Sequence, residues 1–276
     1  MTLTTPQYTG RFAPSPTGPL HLGSLIAAVG SYLEARSHHG RWLLRMEDVD
    51  LHRNIEGASD DILRTLELFG FEWDEHVLYQ STRYPDYEQV VAELRDNHLA
   101  YPCGCTRKLI DEQIAQHGLT PGIYPGTCRN GLAKGMHERA IRVQIDDRVV
   151  SFEDALQGVY QQHLPTEVGD FVIHRADGVY AYQLAVTVDD AAQGITHVVR
   201  GSDLLDSTPR QIYLQQVLGY TTPKYVHLPV IVNHSGQKLS KQTYASPLDT
   251  NKVAPLLVQA LSYLGHSPAQ GLDCLL

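Results

Sequence analysis

The stretch Arg11-Phe12-Ala13-Pro14-Ser15-Pro16-Thr17-Gly18-Pro19-Leu20-His21-Leu22-Gly23-Ser24 decides the fold. Tyr8 to Phe12 reads as a short strand, and Ala13 to Pro19 is a loop dense in Pro, Ser and Gly. A helix follows, because Leu22, Leu25, Ile26, Val29, Tyr32 and Leu33 recur at helical spacing. The order strand, tight loop, helix N-terminus matters chemically. A helix mouth offers unpaired N–H groups and the positive end of a dipole to an anion. His21 and Ser24 fall in the expected first turn, with donors aimed at a phosphate. Gly23 removes side-chain bulk, so a flat ring such as adenine can approach the backbone.

Working outward, Arg41 to Met46 is expected to be a buried strand, followed by the polar loop Glu47-Asp48-Val49-Asp50. Ile55, Ser59, Ile62, Leu66 and Phe69 trace a second helix face. Strand, loop, helix, strand, helix opens a parallel α/β sheet. Tyr84 to Asn97 is expected to be helical, with Tyr87, Val90, Val91 and Leu94 inward. Thr106 can cap a short helix that ends at Gly118. Ala140 to Ile145 alternates like a half-buried strand. Asp170–Arg175 and Val179–Leu184 flank Asp177-Gly178, a hairpin signal. His197 to Arg200 returns as a strand. Ser207 or Thr208 is expected to cap a helix with Pro209 in its first turn and Gly219 past its end. Val226 to Val232 is a further expected strand, and Lys252 to Leu264 a final helix.

The chain has 276 residues, 42% hydrophobic and 19% charged, with a net charge of −9. This balance argues against a general nucleic-acid coat, which needs clustered cations. It leaves room for RNA bound at a local basic patch. No apolar run approaches the ~18 residues of a membrane span, and residues 1–10 lack the pattern of a signal peptide, so a cytoplasmic location without a membrane partner is expected. Three of the four cysteines, Cys103, Cys105 and Cys128, fall in one short window apart from Cys274. In a reducing compartment that grouping points to a metal site before a disulfide framework. A structural zinc site takes four ligands. Tyr124, His117, His137 and Asp111 are candidates for the fourth, and general ligand chemistry favours a histidine.

The fourteen-residue string resembles the "HIGH" signature region of class I aminoacyl-tRNA synthetases, in the form used by glutamyl enzymes. Lys238-Leu239-Ser240-Lys241-Gln242, after an expected strand, resembles their "KMSKS" loop. The resemblance implies an α/β fold: a class I synthetase Rossmann-type parallel sheet, an inserted α+β zinc-bearing connective region and a short helical C-terminal tail. Residues 1–100 and 171–235 would form the catalytic domain, 101–170 the inserted subdomain, and 236–276 the KLSKQ loop and tail. It implies ATP as substrate with Mg²⁺, His21, Gly23, Ser24 and Lys241 on the nucleotide, and His21, Ser24, Lys238 and Lys241 as the catalytic set. The reaction is attack of a carboxylate on the ATP α-phosphate, in which positioning and charge stabilisation do most of the work.

Residues matching the glutamyl family's amino-acid site are Arg11, Ala13, Ser15, Glu47, Tyr182 and Arg200, in RFAPSPTG, RMEDVD, AYQLAVTVDD and VVRGSD. L-glutamate is therefore the implied amino acid. Arg200, helped by Arg11 and Tyr182, would take its side-chain carboxylate; Ser15 and Glu47 would take the amino group. Val186 stands where glutamyl-tRNA synthetases often carry Asn. The short glutamyl-Q tRNA(Asp) family matches the cysteine window best and implies structural Zn²⁺ on Cys103, Cys105, Tyr124 and Cys128. It also implies glutamate activation without tRNA and transfer to the queuosine base of tRNA(Asp); a monomer is expected. Only 34 residues follow Gln242 (276 minus 242), so no anticodon-binding domain is expected. A minimal conventional glutamyl-tRNA ligase and an inactive RNA-binding paralogue are the alternatives. Queuosine dependence separates the first, and absence of ATP–pyrophosphate exchange the second.

Overall fold

A computed structural model describes residues 7–230 and 246–267. In chain order the regular elements are β1 (Thr9–Phe12), α1 (Leu22–Ser37), β2 (Arg41–Met46), α2 (Ala58–Leu68), β3 (Leu78–Tyr79), α3 (Tyr84–Asp96), β4 (Ala100–Cys103), α4 (Arg107–His117) and β5 (Ala140–Val143). They continue with β6 (Val149–Asp154), β7 (Gly158–His163), α5 (Leu164–Glu167), β8 (Val172–His174), α6 (Tyr182–Ala192), β9 (His197–Gly201), α7 (Thr208–Val217), β10 (Lys224–Leu228) and α8 (Val253–Tyr263).

β1, β2 and β3 pair in parallel, as do β9 and β10. β1 runs beside β9, where the Thr196 N–H donates to the Thr9 carbonyl at 2.9 Å. The strands of this layer are buried on both faces, and alternation sorts their side chains. Trp42, Leu44 and Met46 enter one core with Tyr8, Phe12, Ile62, Leu66 and the buried residues of α1. Leu43 points the other way, into a core built from α3, α6, α7 and the strands of residues 140–173. Arg11 and Arg45 share that second face, where they meet α6 rather than water.

The expected inward face of α3 is the observed one: Tyr87, Val90, Val91 and Leu94 are its buried residues. Thr106 caps α4 by accepting from the Leu109 N–H at 3.2 Å, and Gly118 closes it in the left-handed region (φ 62°). Other readings change. Leu33 is exposed, because α1 turns Ala28, Ser31 and Ala35 inward instead. Small residues face the sheet there: Ser31 Oγ accepts from Trp42 Nε1 at 3.0 Å, and a Cβ on Gly30 would lie 2.9 Å from Leu228 Cδ1 of β10. Ile55 precedes α2 and is exposed. The second arm of the expected Asp177-Gly178 hairpin is not a strand. Beyond one bridge, His174 to Tyr180, the chain enters α6 at Tyr182, because its residues pack as a helix against α3 and α7. No side chain caps α7. The strand expected over Val226–Val232 is β10, Lys224–Leu228; residues 231–245, with Lys238 and Lys241, lie outside the described residues.

Residues 101–170 divide. β4, β5 and β8 make a separate antiparallel sheet, with α4 beside it. The β6–β7 hairpin instead joins β10 in parallel, through Tyr225 and Asp154, so the sheets are mixed rather than purely parallel. No helix among the described residues is long and apolar enough to cross a membrane.

Gly40 sits between α1 and β2, where a Cβ would meet the Tyr8 carbonyl oxygen at 2.5 Å and Tyr8 Cβ at 2.6 Å. Gly40→Ala should destabilise the protein by about 1–3 kcal/mol through overpacking. Thermal denaturation checks this, and an unchanged melting temperature would contradict the packing described.

Candidate active site

The loop after β1 is pinned to its neighbours by the backbone. The Glu47 N–H donates to the Pro14 carbonyl and the Ile55 N–H to the Pro16 carbonyl, each at 2.9 Å. Three prolines, lacking N–H groups, leave few donors to satisfy. His21 is the N-cap of α1 rather than a first-turn residue, and its Nδ1 accepts from the Ser24 N–H at 3.2 Å. A neutral His21 in this arrangement carries its proton on Nε2. Histidine is not a favoured cap, so cap preferences could not have placed it.

A cleft of about 380 Å³ opens at this helix mouth. Ala13, Ser15, His21, Gly23, Ser24 and Arg200 all line it, and Ile26, Ala27, Val199 and Leu228 give it an apolar wall. A smaller cavity of about 100 Å³ adjoins it, sharing Ser15 and Thr17 and adding Glu47, Gln80 and Tyr182. Arg11 lines neither. It lies beneath them, 3% exposed, with its Nε 3.2 Å from Asp190 Oδ1.

Three buried arginines have different partners. Arg11 and Arg45 both donate to Asp190 Oδ1, Arg45 at 2.7 Å. Arg45 also reaches Gln193 at 2.8 Å, and Glu47 lies 3.6 Å away. Burial alone would push the Asp190 carboxyl up, but the two guanidinium groups hold it below the ordinary carboxylate value. Arg200 has no carboxylate partner among the described residues. Its Nε donates to His227 Nε2 at 3.1 Å, and its terminal nitrogens to the Tyr182 hydroxyl at 3.4 Å and Thr208 Oγ1 at 2.8 Å. Thr208 thus holds Arg200 rather than capping α7. Glu47 shows the reverse imbalance. Burial raises its carboxyl above the usual range despite Arg45 and Arg11, and its Oε1 has no hydrogen-bond donor. Burial and the Glu47 charge also raise the Tyr182 phenol, which stays protonated.

Arg45, Asp190, His227 and Asp154 were not singled out by the sequence. The available signal was position: an arginine inside the apolar run RWLLRM, and two aspartates ending the buried helix AYQLAVTVDD.

The second cluster lies in the separate antiparallel sheet. The Sγ atoms of Cys103, Cys105 and Cys128 fall within 4.8 Å of one another, and no histidine or carboxylate among the described residues joins them. The Tyr124 oxygen is 3.4 Å from Cys103 Sγ and 3.5 Å from Cys105 Sγ, and accepts from the Cys128 N–H at 3.0 Å. The Cys105–Cys128 separation of 3.6 Å approaches the ~3.8 Å that tetrahedral thiolate ligation of zinc requires. These three cysteines could hold a metal ion.

Asp190→Asn would leave two buried guanidinium groups without their shared charge, and should cost about 3–5 kcal/mol. Because the folded carboxyl is depressed, its contribution is present at neutral pH and lost as pH falls through the carboxylate range. Urea unfolding at pH 7 and pH 3 should show the gap between variant and wild type narrowing in acid; a constant gap would contradict this assignment.

The sequence matches the family described as tRNA synthetases class I (E and Q), catalytic domain, over residues 7–270. Two curated relatives, both called glutamyl-Q tRNA(Asp) synthetase, come from Dechloromonas aromatica and Chromobacterium violaceum. The first is 57% identical over 96% of this chain and 88% of its own length, the second 56% over 97% and 89%. Among solved structures, a glutamate tRNA ligase from Elizabethkingia meningosepticum in complex with its amino acid superposes with a TM-score of 0.76 at 30% identity. The match covers 86% of this chain and 52% of that one, so the chain spans about half the length of that ligase. With a class I synthetase fold, and identity to these ligases sustained along nearly its whole length, the chain belongs to the glutamyl-Q tRNA(Asp) synthetase family of the class I tRNA synthetases.

Proposed function

We propose that the enzyme activates L-glutamate with Mg²⁺-ATP to glutamyl-adenylate without tRNA, then transfers the glutamyl group to queuosine in the anticodon of tRNA(Asp). The observation that carries the glutamate step is the charge arrangement: a buried Arg200 with only neutral partners borders one cavity, and the buried Glu47 carboxylate, whose Oε1 has only a 3.6 Å ion-pair contact with Arg45, borders the adjoining one. Arg200 is the buried guanidinium of this set that no carboxylate among the described residues contacts. Glutamate, with two carboxylates and one ammonium, supplies the complement. Arg200 binds the side-chain carboxylate bidentately, next to the Tyr182 hydroxyl. Glu47 and Ser15 take the ammonium. Arg11 acts from below, through its charge.

The larger cleft takes ATP. Its apolar wall and Gly23 accept the adenine face, while the α1 mouth and His21 Nε2 face the phosphates. The α-carboxylate oxygen attacks the α-phosphorus and pyrophosphate leaves. Lys238 and Lys241, assigned by resemblance to the KMSKS loop, neutralise charge developing on pyrophosphate. Zn²⁺ is the metal for Cys103, Cys105, Tyr124 and Cys128. Three soft thiolates and one oxygen filling all four positions make a structural site, and its role is to hold β4 against residues 124–128. The names of the relatives in D. aromatica and C. violaceum support tRNA(Asp) as the acceptor.

Glutamate-dependent ATP–pyrophosphate exchange should proceed in the absence of tRNA, and labelled glutamate should transfer to tRNA(Asp) only when queuosine is present. Transfer confined to tRNA(Glu) would make the chain a conventional ligase. Arg200→Ala should raise the glutamate KM by at least about tenfold, the loss of one charged hydrogen-bond pair; an unchanged value would remove Arg200 from the pocket. Metal analysis of the purified protein should give about one zinc per chain. Tyr124→Phe should weaken retention against a chelator, and unaltered retention would exclude the phenol oxygen as a ligand.

A further inference from the structure

Two of the three groups that hold Arg200, His227 and Thr208, lie outside the residues that family resemblance assigns. His227, on β10, is fully buried, and its Nε2 accepts from Arg200 Nε at 3.1 Å. Its Nδ1 lies 2.7 Å from Asp154 Oδ2, and its own N–H donates to the same carboxylate at 3.0 Å. Asp154 ends β6 and bends back on itself: its Oδ1 accepts from the Leu156 and Gln157 N–H groups at 3.0 and 2.9 Å. The carboxylate can only accept, so His227 donates from Nδ1 and its Nε2 is the acceptor, shared by Arg200 Nε and the Thr208 hydroxyl at 3.0 Å. Burial and the Arg200 charge keep the imidazole neutral despite Asp154.

This arrangement answers a specific need. A buried arginine must be oriented to bind an anion bidentately, yet a carboxylate that oriented it would also neutralise it, as Asp190 does for Arg11 and Arg45. A neutral acceptor fixes the guanidinium plane and leaves its charge to the substrate. The Asp154 charge acts one imidazole further away, where its backbone donors already share it.

We infer that His227 and Asp154 are positioning residues for glutamate recognition: Asp154 fixes the His227 tautomer, and His227 aims Arg200 without quenching it. The inference rests on the assignment of Arg200 to the substrate's side-chain carboxylate. It explains why the β6–β7 hairpin is joined to the catalytic sheet at Asp154, the residue paired with Tyr225 of β10.

His227→Leu removes the acceptor and should raise the glutamate KM in pyrophosphate exchange by roughly tenfold, with the ATP KM and kcat little changed. His227→Gln, whose amide oxygen can stand near Nε2, should recover most of that loss. In Asp154→Asn the carbonyl oxygen stays with its two backbone donors, so the amide NH₂ faces His227 Nδ1. The ring proton then moves to Nε2, opposite an N–H of Arg200, and the glutamate KM should rise as in His227→Leu. Ring ¹⁵N spectra report the tautomer directly: wild type should show His227 neutral and protonated on Nδ1. An imidazolium or an Nε2–H tautomer at pH 7 would overturn the relay, even if His227→Leu failed to fold. Wild-type exchange with an unchanged glutamate KM in the variants, or equal increases for both substrates, would also overturn it. Absence of glutamate-dependent exchange in wild type would instead sink the parent assignment.

Discussion

One buried carboxylate, Asp190, ties the catalytic layer together. It stands on α6 and binds Arg11 from β1 and Arg45 from β2, three elements far apart in the chain. Burying two guanidinium groups beneath a parallel sheet is costly unless each is paired and hydrogen-bonded. The pairing therefore constrains α6 to lie against the ends of β1 and β2. Its neighbour Asp189 extends the constraint to the start of α3, accepting from Gln80, Arg83 and Tyr87. With α6 held there, Tyr182 at its first turn is delivered to the smaller cavity. The catalytic edge is thus placed by electrostatics under it as much as by apolar packing.

The mouth of α1 depends on a different economy. A loop of prolines carries few N–H groups to satisfy, so it can cross the sheet edge while its carbonyls accept from Glu47 and Ile55. That pairing brings Glu47 to the floor beside Ser15. One short loop thereby lines both cavities: Arg200 faces the larger and Glu47 and Tyr182 the smaller, so on the proposed reading a glutamate held by all three spans the two beside Ser15 and Thr17, at the edge of the nucleotide cleft. Proximity of this kind is the main contribution a protein can make to adenylation.

Much of this was legible from residues alone. Local signals placed α1, β2, α3, α4 and α8, because helix periodicity, a Thr cap and a terminal Gly are properties of neighbouring residues. Among the candidate site residues, His21, Gly23 and Ser24 followed from their place at the expected helix mouth and Ala13 and Ser15 from the family resemblance, and all five line the larger cleft. What failed was non-local. Val179–Leu184 carries a strand-like pattern, yet tertiary packing against α3 and α7 makes its second half, from Tyr182, the start of a helix. The β6–β7 hairpin alternates in burial, but its partner β10 lies some seventy residues on, and periodicity cannot name a partner. Charged residues were the hardest case. Arg45 is fully buried inside the apolar run RWLLRM, and the partner that makes this tolerable, Asp190, is one the run cannot name. His227 lies in a strand whose pattern says only that it is inward.

On the function proposed, the division of labour between the arginines, open in the sequence, follows from their partners. Arg11 and Arg45 share a full carboxylate, so their charges are largely spent inside the protein. Arg200 meets an imidazole nitrogen, a phenol and a hydroxyl, all neutral. Only it combines burial, fixed orientation and a charge without an ion-pair partner among the described residues. An incoming carboxylate displaces little to bind it, whereas at Arg11 it would compete with Asp190 inside a closed network. Low dielectric strengthens the same contact. Specificity for an acidic side chain then needs no large pocket. On the function proposed, it needs one guanidinium that the fold orients with neutral groups, and a buried carboxylate, Glu47, to meet the ligand's ammonium.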